Sequence, residues 1–146
     1  MGDSNNHLAG RIPAEPYPEL RQLEPLVGRW TVSGPYLNGM IGFEWMEGGF
    51  FLVQNVDART PERKIKGVEY IGFEEDTQTL RSHYLDTNGS NFTYTWELDG
   101  GRIRIWFGDK DSDNLFDGHF SEDGNSYSGR WRWPGGGYEA TMTRVK

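Results

Sequence analysis

The sequence predicts an all-β fold: a closed, antiparallel, up-and-down β-barrel of about ten strands with a short N-terminal helix. Strand-like and turn-like segments alternate along almost the whole chain, at the short spacing typical of barrels and sandwiches. Aromatic residues make up 14% of the 146 residues and 20 residues are glycine, a composition that favours short, curved strands with tight turns. The first strand opens on Gly28-x-Trp30, and the last strand carries Arg144.

The residues before the first strand divide into two parts. Residues 1–17 are polar and proline-containing, which predicts a flexible N-terminal segment. Leu20, Leu23 and Leu26 then follow three apart, and Pro18 suits an early helical position. We therefore expect one short helix or 3₁₀ turn against one end of the barrel. Residues 18–146 are expected to form a single domain, long enough to bury a core.

Ten strand segments follow, joined mostly by turns of hairpin length. They are predicted over 26–34, 40–47, 50–57, 64–74, 79–86, 91–98, 102–108, 114–121, 126–133 and 138–145. Strands joined by such short turns pair antiparallel with their neighbours in sequence. An open sheet of this kind would expose two long edges, and closure into a barrel removes them.

Alternating hydrophobicity separates an apolar face from a polar one on several strands. The sixth strand is the clearest, because Phe92, Tyr94 and Trp96 share one face while threonine and glutamate occupy the other. The fourth strand leaves two registers open. In one, Glu69 faces inward with Ile71; in the other, Tyr70 faces inward and Glu69 meets solvent.

Charge and composition exclude several classes of function. The net charge of −7 argues against a nucleic-acid partner, which normally meets a basic surface. The absence of cysteine excludes disulfides, thiolate metal sites and a cysteine nucleophile. No stretch reads as a secretory signal or as a membrane span, so we expect a cytoplasmic protein without a membrane partner.

Four segments carry a resemblance to a known family. They are Leu23-x-x-Leu26-x-Gly28-x-Trp30, Phe43-Glu-Trp-Met-Glu-Gly-Gly-Phe-Phe-Leu52, Gly67-Val-Glu-Tyr-Ile-Gly-Phe73 and Tyr138-x-Ala-Thr-Met-Thr-Arg144. Over about residues 20–146 the chain resembles a bacterial lipocalin-like family of unknown function. The resemblance implies a calycin-type barrel, related in shape to lipocalins, fatty-acid-binding proteins and nitrobindins. That family has no established common activity, so the resemblance implies none for this chain.

The likeness to nitrobindins also raises haem binding, because those barrels ligate haem through a histidine near the C-terminal strands. Residues 126–146 contain no histidine, which departs from that pattern. His119 is the remaining candidate ligand, although the neighbouring aromatic residues favour its facing outward. Haem is thus an alternative, and otherwise no cofactor is expected.

No metal is expected either. Asp109, Asp111 and Asp113 resemble the start of a calcium loop, but Asn114 and Phe120 occupy the positions that such a loop fills with glycine and glutamate. A charged, solvated hairpin is the simpler interpretation.

The candidate site residues fall into three groups. Trp30 and Arg144 are expected to close one end of the barrel through a cation–π contact. A ligand is expected to meet aromatic residues of the wall, although the tyrosines among them equally suit a filled core. These candidates are Phe43, Trp45, Tyr84, Tyr94, Trp96, Tyr127, Trp131 and Tyr138. The candidates for acid–base chemistry are Glu69, His83 and His119.

We therefore predict a protein that binds a small, mostly apolar molecule inside its barrel. Two alternatives stay open: an isomerase or cyclase that uses an interior Glu/Tyr or His/Tyr pair, and a haem protein. Whether the chain is an enzyme is undecided from sequence. A homodimer is one alternative for its oligomeric state.

Overall fold

Ten antiparallel strands close into a barrel in the computed structural model, which describes residues 12–146. In chain order they are β1 (Gly28–Ser33), β2 (Asn38–Trp45), β3 (Leu52–Arg59), β4 (Lys64–Glu74), β5 (Thr79–Asp86), β6 (Asn91–Asp99), β7 (Arg102–Phe107), β8 (Leu115–Phe120), β9 (Ser126–Trp133) and β10 (Gly136–Arg144). Each strand pairs with its neighbours in sequence, and β1 pairs with β10. The predicted fold class is confirmed, and the closed barrel is consistent with a calycin-like fold.

A 3₁₀ helix, Pro18–Leu26, covers one end of the barrel. Its three inward leucines, Leu20, Leu23 and Leu26, are at most 2% exposed. A 3₁₀ helix has about three residues per turn, so side chains three apart share one face. The leucine spacing therefore explains both the helix type and its docking. No helix in residues 12–146 is long and apolar enough to cross a membrane.

The predicted flexible segment over residues 1–17 lies mostly outside the described residues, because the structure describes the chain from residue 12. Residues 12–17 form neither helix nor strand. Tyr17 packs on Phe73 with 4.8 Å between ring centres, and its hydroxyl donates to Glu75 at 2.6 Å. The chain is thus anchored to the barrel just before the helix begins.

The connections fall at two ends because the strands alternate in direction. The end with the 3₁₀ helix is closed. The other end carries the connections 34–37, 60–63, 87–90, 108–114 and 134–135, and it surrounds the mouth of an internal cavity. The closed end therefore sets the floor of the cavity, and these connections form its rim.

Trp30 and Arg144 meet at the closed end. Trp30 is completely buried, and its indole N–H donates to the Leu26 carbonyl at 2.9 Å. The Arg144 guanidinium lies 4.2 Å from the centre of the Trp30 ring, within cation–π range. It also donates to three carbonyl oxygens, those of Val27 (2.7 Å), Pro25 (3.1 Å) and Gly124 (3.2 Å). One side chain thus joins the last strand to the turn before the first strand.

Gly28 is required by this arrangement. Its φ of +128° lies in a region that side chains rarely adopt, and a Cβ there would stand 2.7 Å from an Arg144 guanidinium nitrogen. The glycine of the Gly28-x-Trp30 opening therefore makes room for the arginine that covers the tryptophan.

On the outer face of β6 and β7, two side chains are buried that strand alternation predicts to be exposed. Thr95, assigned to the polar face, is 1% exposed, and its register partner Trp106 is 3% exposed. The side chains of Arg104 and Lys110 lie over the Trp106 ring, at 5.1 and 5.8 Å from its centre. The charged ends of long cationic side chains can cover an outward tryptophan, which strand periodicity alone does not reveal.

We expect Arg144→Met to lower the free energy of unfolding by about 2 kcal/mol or more, because it leaves three carbonyls without their charged donor and removes the cation–π contact. Urea denaturation followed by tryptophan fluorescence measures this. Arg130→Met is the matched control, since Arg130 makes an exposed, 3.6 Å ion pair with Glu139. Its expected loss is within about 0.5 kcal/mol. Equal losses in both variants would contradict the assigned role of Arg144.

Candidate ligand-binding cavity

The barrel encloses a cavity of about 400 Å³ that opens at the end opposite the helix. Its size lies within the range of small-molecule sites. Aromatic and aliphatic side chains form most of its wall. The aromatic part includes Phe43, Tyr84, Tyr94, Trp96, Tyr127, Trp131 and Tyr138. The lumen is therefore only partly filled by the large side chains that point into it.

Glu69 faces this cavity from the middle of β4. It is 5% exposed and lies in register between Gln54 on β3 and Tyr84 on β5. The structure thus adopts the register in which Glu69 shares its face with the fully buried Ile71, while Tyr70 is 39% exposed on the outside. The question that strand periodicity left open is settled by this orientation.

Neutral donors surround the Glu69 carboxyl group. The Gln54 amide donates to Oε1 at 2.8 Å, and the Ser82 hydroxyl donates to Oε2 at 2.5 Å. The Trp96 indole N–H donates to the Ser82 oxygen at 2.9 Å. Trp96, Ser82 and Glu69 therefore form a directed chain in which every hydrogen bond supports negative charge on the carboxyl group.

Burial raises the pKa of Glu69 from 4.5 to about 7, although the Ser82 hydroxyl, the nearby Trp96 N–H and the Gln54 amide oppose that rise by favouring the ionised form. Desolvation therefore outweighs hydrogen bonding at this site. A carboxyl group with this pKa changes its charge near neutral pH, which suits both proton transfer and a ligand-dependent change of protonation.

The tyrosines of the wall stay neutral near neutral pH. Burial raises the pKa of Tyr84, Tyr94 and Tyr127 well above the usual range, and it raises that of Tyr138 to about 12. The Tyr84 hydroxyl donates to Asp86 at 2.8 Å. These phenols therefore offer hydrogen bonds and ring surface but no negative charge.

The rim of the cavity is more polar than its wall. Asp86 lies there and accepts backbone hydrogen bonds from Asn88 (2.9 Å) and Ser90 (3.0 Å). Partial burial acts to raise its pKa, but the hydrogen bonds from Ser90, Tyr84 and Asn88 together lower it below 3.8. Arg63, an exposed residue of the connection 60–63, lines the same end. The charges at the mouth thus include one of each sign.

Exposed aromatic side chains also surround the mouth. Tyr36, Phe92, Phe107 and Trp133 are between 38% and 40% exposed. They are joined to the inner wall by ring contacts, such as Tyr36 with Tyr138 at 5.0 Å and Phe107 with Tyr94 at 5.5 Å between centres. Apolar surface therefore continues from the rim into the cavity.

The structure separates the three acid–base candidates. Only Glu69 faces the cavity. His83 is exposed on the outer face and pairs with Asn91 at 2.5 Å, and His119 is exposed beside the Asp117–Arg102 ion pair. Neither histidine is placed to serve as an acid, a base or a haem ligand inside the barrel.

Trp45 is displaced from its predicted place. It belongs to the inward face of β2, but it lies at the closed end, where its indole N–H donates to Glu24 of the 3₁₀ helix at 3.1 Å. It is not among the residues that line the cavity. Strand parity gives the face of a residue but not its depth, which is why Trp45 shares the face of Phe43 without lining the cavity.

Sequence reasoning missed Gln54 and Ser82. Both are buried and polar, at 8% and 4% exposure. The signal was present in the alternation, since Gln54 shares its face with Leu52, and Ser82 shares its face with Leu80. Inward parity applied to the polar residues of β3 and β5 would have identified them.

Comparison with known proteins gives no closer assignment: no family model matches this chain, and no curated protein is significantly similar to it.

The pKa of Glu69 predicts how stability depends on pH. The folded protein holds this proton up to about pH 7, whereas the unfolded chain releases it near pH 4.5, so stability falls as pH rises between these values. The full contribution, about 3 kcal/mol, is present below pH 4.5 and lost above pH 7. Urea unfolding of the wild type and of Glu69→Gln across this range measures the difference. Parallel curves would contradict the assignment.

Proposed function

We propose that this protein binds a small, mostly apolar molecule inside its barrel. The observation that carries this proposal is the open cavity of about 400 Å³, which has an aromatic wall and the buried carboxyl group of Glu69 in its interior. A few converging polar groups in an otherwise apolar cavity are the usual arrangement of a small-molecule site. Exposed aromatic residues at the mouth support this proposal, because they provide an apolar path into the cavity.

Membership of the lipocalin-like family belongs to the same proposal. It is supported by the closed ten-strand barrel and by the contact between Trp30 and Arg144, which links two of the segments that carry the resemblance. A cytoplasmic location stays a prediction from the sequence.

The binding proposal is tested with N-phenyl-1-naphthylamine, a neutral dye whose fluorescence rises in apolar surroundings. We expect saturable binding to the wild type and at least about tenfold weaker binding to Ala140→Phe, which adds a ring to the cavity wall. Thr141→Phe is the matched control, because Thr141 is exposed on the outer face of the same strand.

Thermal unfolding of each variant shows whether it is folded. Should Ala140→Phe not fold, Ile65→Trp at the mouth replaces it, since Ile65 also lines the cavity. Unchanged dye binding in a folded cavity variant, or a wild type that binds no apolar compound of this size, would overturn the proposal.

Proton transfer by Glu69 is a second candidate function. It is favoured by one observation: a carboxyl group with a pKa of about 7 faces a cavity and is held by Gln54 and Ser82. A general base needs a pKa near the working pH and a substrate within reach, and this site meets the first condition.

The compound 5-nitrobenzisoxazole tests this second function. A base removes its C–H proton while the N–O bond breaks, which yields a coloured cyanophenolate without any further reactant. We expect a wild-type rate that rises through about pH 7 and falls at least about 100-fold in Glu69→Gln. Equal rates in the two proteins would remove the general-base role and leave the binding proposal untouched.

A further inference from the structure

Within residues 12–146, the charge of Glu69 has no cationic partner in the cavity. Among the described residues that line it, the charged side chains are Arg63, Glu69 and Asp86. Arg63 and Asp86 lie at the mouth, and the groups that contact Glu69 directly, Gln54 and Ser82, are neutral. A buried carboxylate without a cation is costly, which is the cause of its raised pKa. A ligand that supplied the cation would remove that cost.

The hydrogen bonds around Glu69 leave capacity for such a ligand. An ionised carboxylate offers about four acceptor sites, and Gln54 and Ser82 each use one, on different oxygens. The Ser82 hydrogen is directed at Glu69, and the Trp96 N–H is directed at Ser82. Each carboxylate oxygen of Glu69 can therefore accept a further hydrogen bond, and a ligand group that donates hydrogen bonds fits this site.

The rest of the cavity also favours a cation with an apolar body. Aromatic faces attract cations, and Trp96 and Tyr94 both belong to the same wall as Glu69. The tyrosines of the wall are neutral and bring no charge of their own. The net charge of −7 on the whole chain favours the approach of cations and disfavours that of anions.

We propose that the ligand is a small molecule with an apolar, ring-sized body and one protonated amino group, and that this group donates to the Glu69 carboxylate inside the barrel. The apolar body then contacts the aromatic wall, and its far end lies toward Tyr36 and Phe92 at the mouth. This inference rests on the proposed binding function and specifies its ligand class.

A dependence on pH follows from the geometry. An ammonium group binds the ionised carboxylate, so below about pH 7 the proton of Glu69 must leave before the ligand binds. The titratable groups that interact with Glu69 from β5, β6 and β9 are Tyr84, Tyr94 and Tyr127, which stay neutral in this range. Asp86, whose pKa is lowered, is ionised throughout it, and Arg63 is the cationic side chain in the described lining. Glu69 is thus the group in the described cavity that changes charge.

The experiment compares 1-naphthylmethylamine with its neutral counterpart 1-naphthylmethanol by isothermal titration calorimetry from about pH 5 to pH 8. For the wild type we expect the amine to bind at least about tenfold more tightly than the alcohol at pH 8. Its affinity is expected to fall about tenfold per pH unit below pH 7, with release of one proton. The alcohol is expected to show neither effect. Repeating the titration in buffers of different ionisation enthalpy measures the proton directly, using only the wild-type protein.

Glu69→Gln removes the charge with almost no change of shape, and we expect it to abolish both the preference for the amine and its pH dependence. Glu44→Gln is the matched control, because it removes one negative charge from the exposed outer face of β2. Equal affinity of amine and alcohol for the wild type at pH 8 would overturn the inference. If the neutral dye N-phenyl-1-naphthylamine and the alcohol still bind in that case, only the proposed ligand class is wrong. Should none of the three compounds bind, the binding function itself fails.

Discussion

The barrel depends on the pairing of β1 with β10, and Arg144 holds that pairing at its closed end. An open ten-strand sheet would leave two edges of unpaired amides and carbonyls. Closure removes them, and it also divides every strand into an inward and an outward face. Arg144 adds to the β1–β10 ladder by bonding the Pro25 and Val27 carbonyls, which precede β1. The cavity is therefore a consequence of closure, and its floor is the cluster in which Trp30 and the three leucines of the helix are buried.

Closure and strand register also place the Glu69 side chain inside the barrel, although a carboxylate is more stable in water. A one-residue shift of β4 would expose Glu69, but it would also move Ile71 to the surface and bring Tyr70 inside. Burial of Ile71, which pairs with Leu52, keeps the register. Burial of apolar neighbours thus outweighs the desolvation of a single carboxyl group. Proteins tolerate such local conflicts mainly at functional sites, and the donors converging on Glu69 support that interpretation here.

Sequence periodicity predicted the number of strands, their order and most of their faces, because alternation is strong in strands such as β6. It left Glu69 open because both faces of β4 carry apolar residues, and only pairing with β3 and β5 decides between them. Periodicity could not predict how far along the barrel axis a side chain lies. Phe43 and Trp45 share a face, yet of these two only Phe43 lines the cavity. The shielding of Trp106 by Arg104 and Lys110 was equally hidden, since it depends on side chains that fold across the outer surface.

The two roles considered for Glu69 require opposite things of one proton. A general base must be ionised when the substrate arrives and must accept the proton, so any cation held against it lowers its basicity. A binding site for an amine keeps the carboxylate ionised and gains from that same loss of basicity. A bound ammonium group would therefore prevent Glu69 from acting as a general base. The hydrogen bonds from Gln54 and Ser82 favour the ionised form in both cases, but only an amine also supplies the missing positive charge. That balance of charge makes the binding role the one that the cavity supports best.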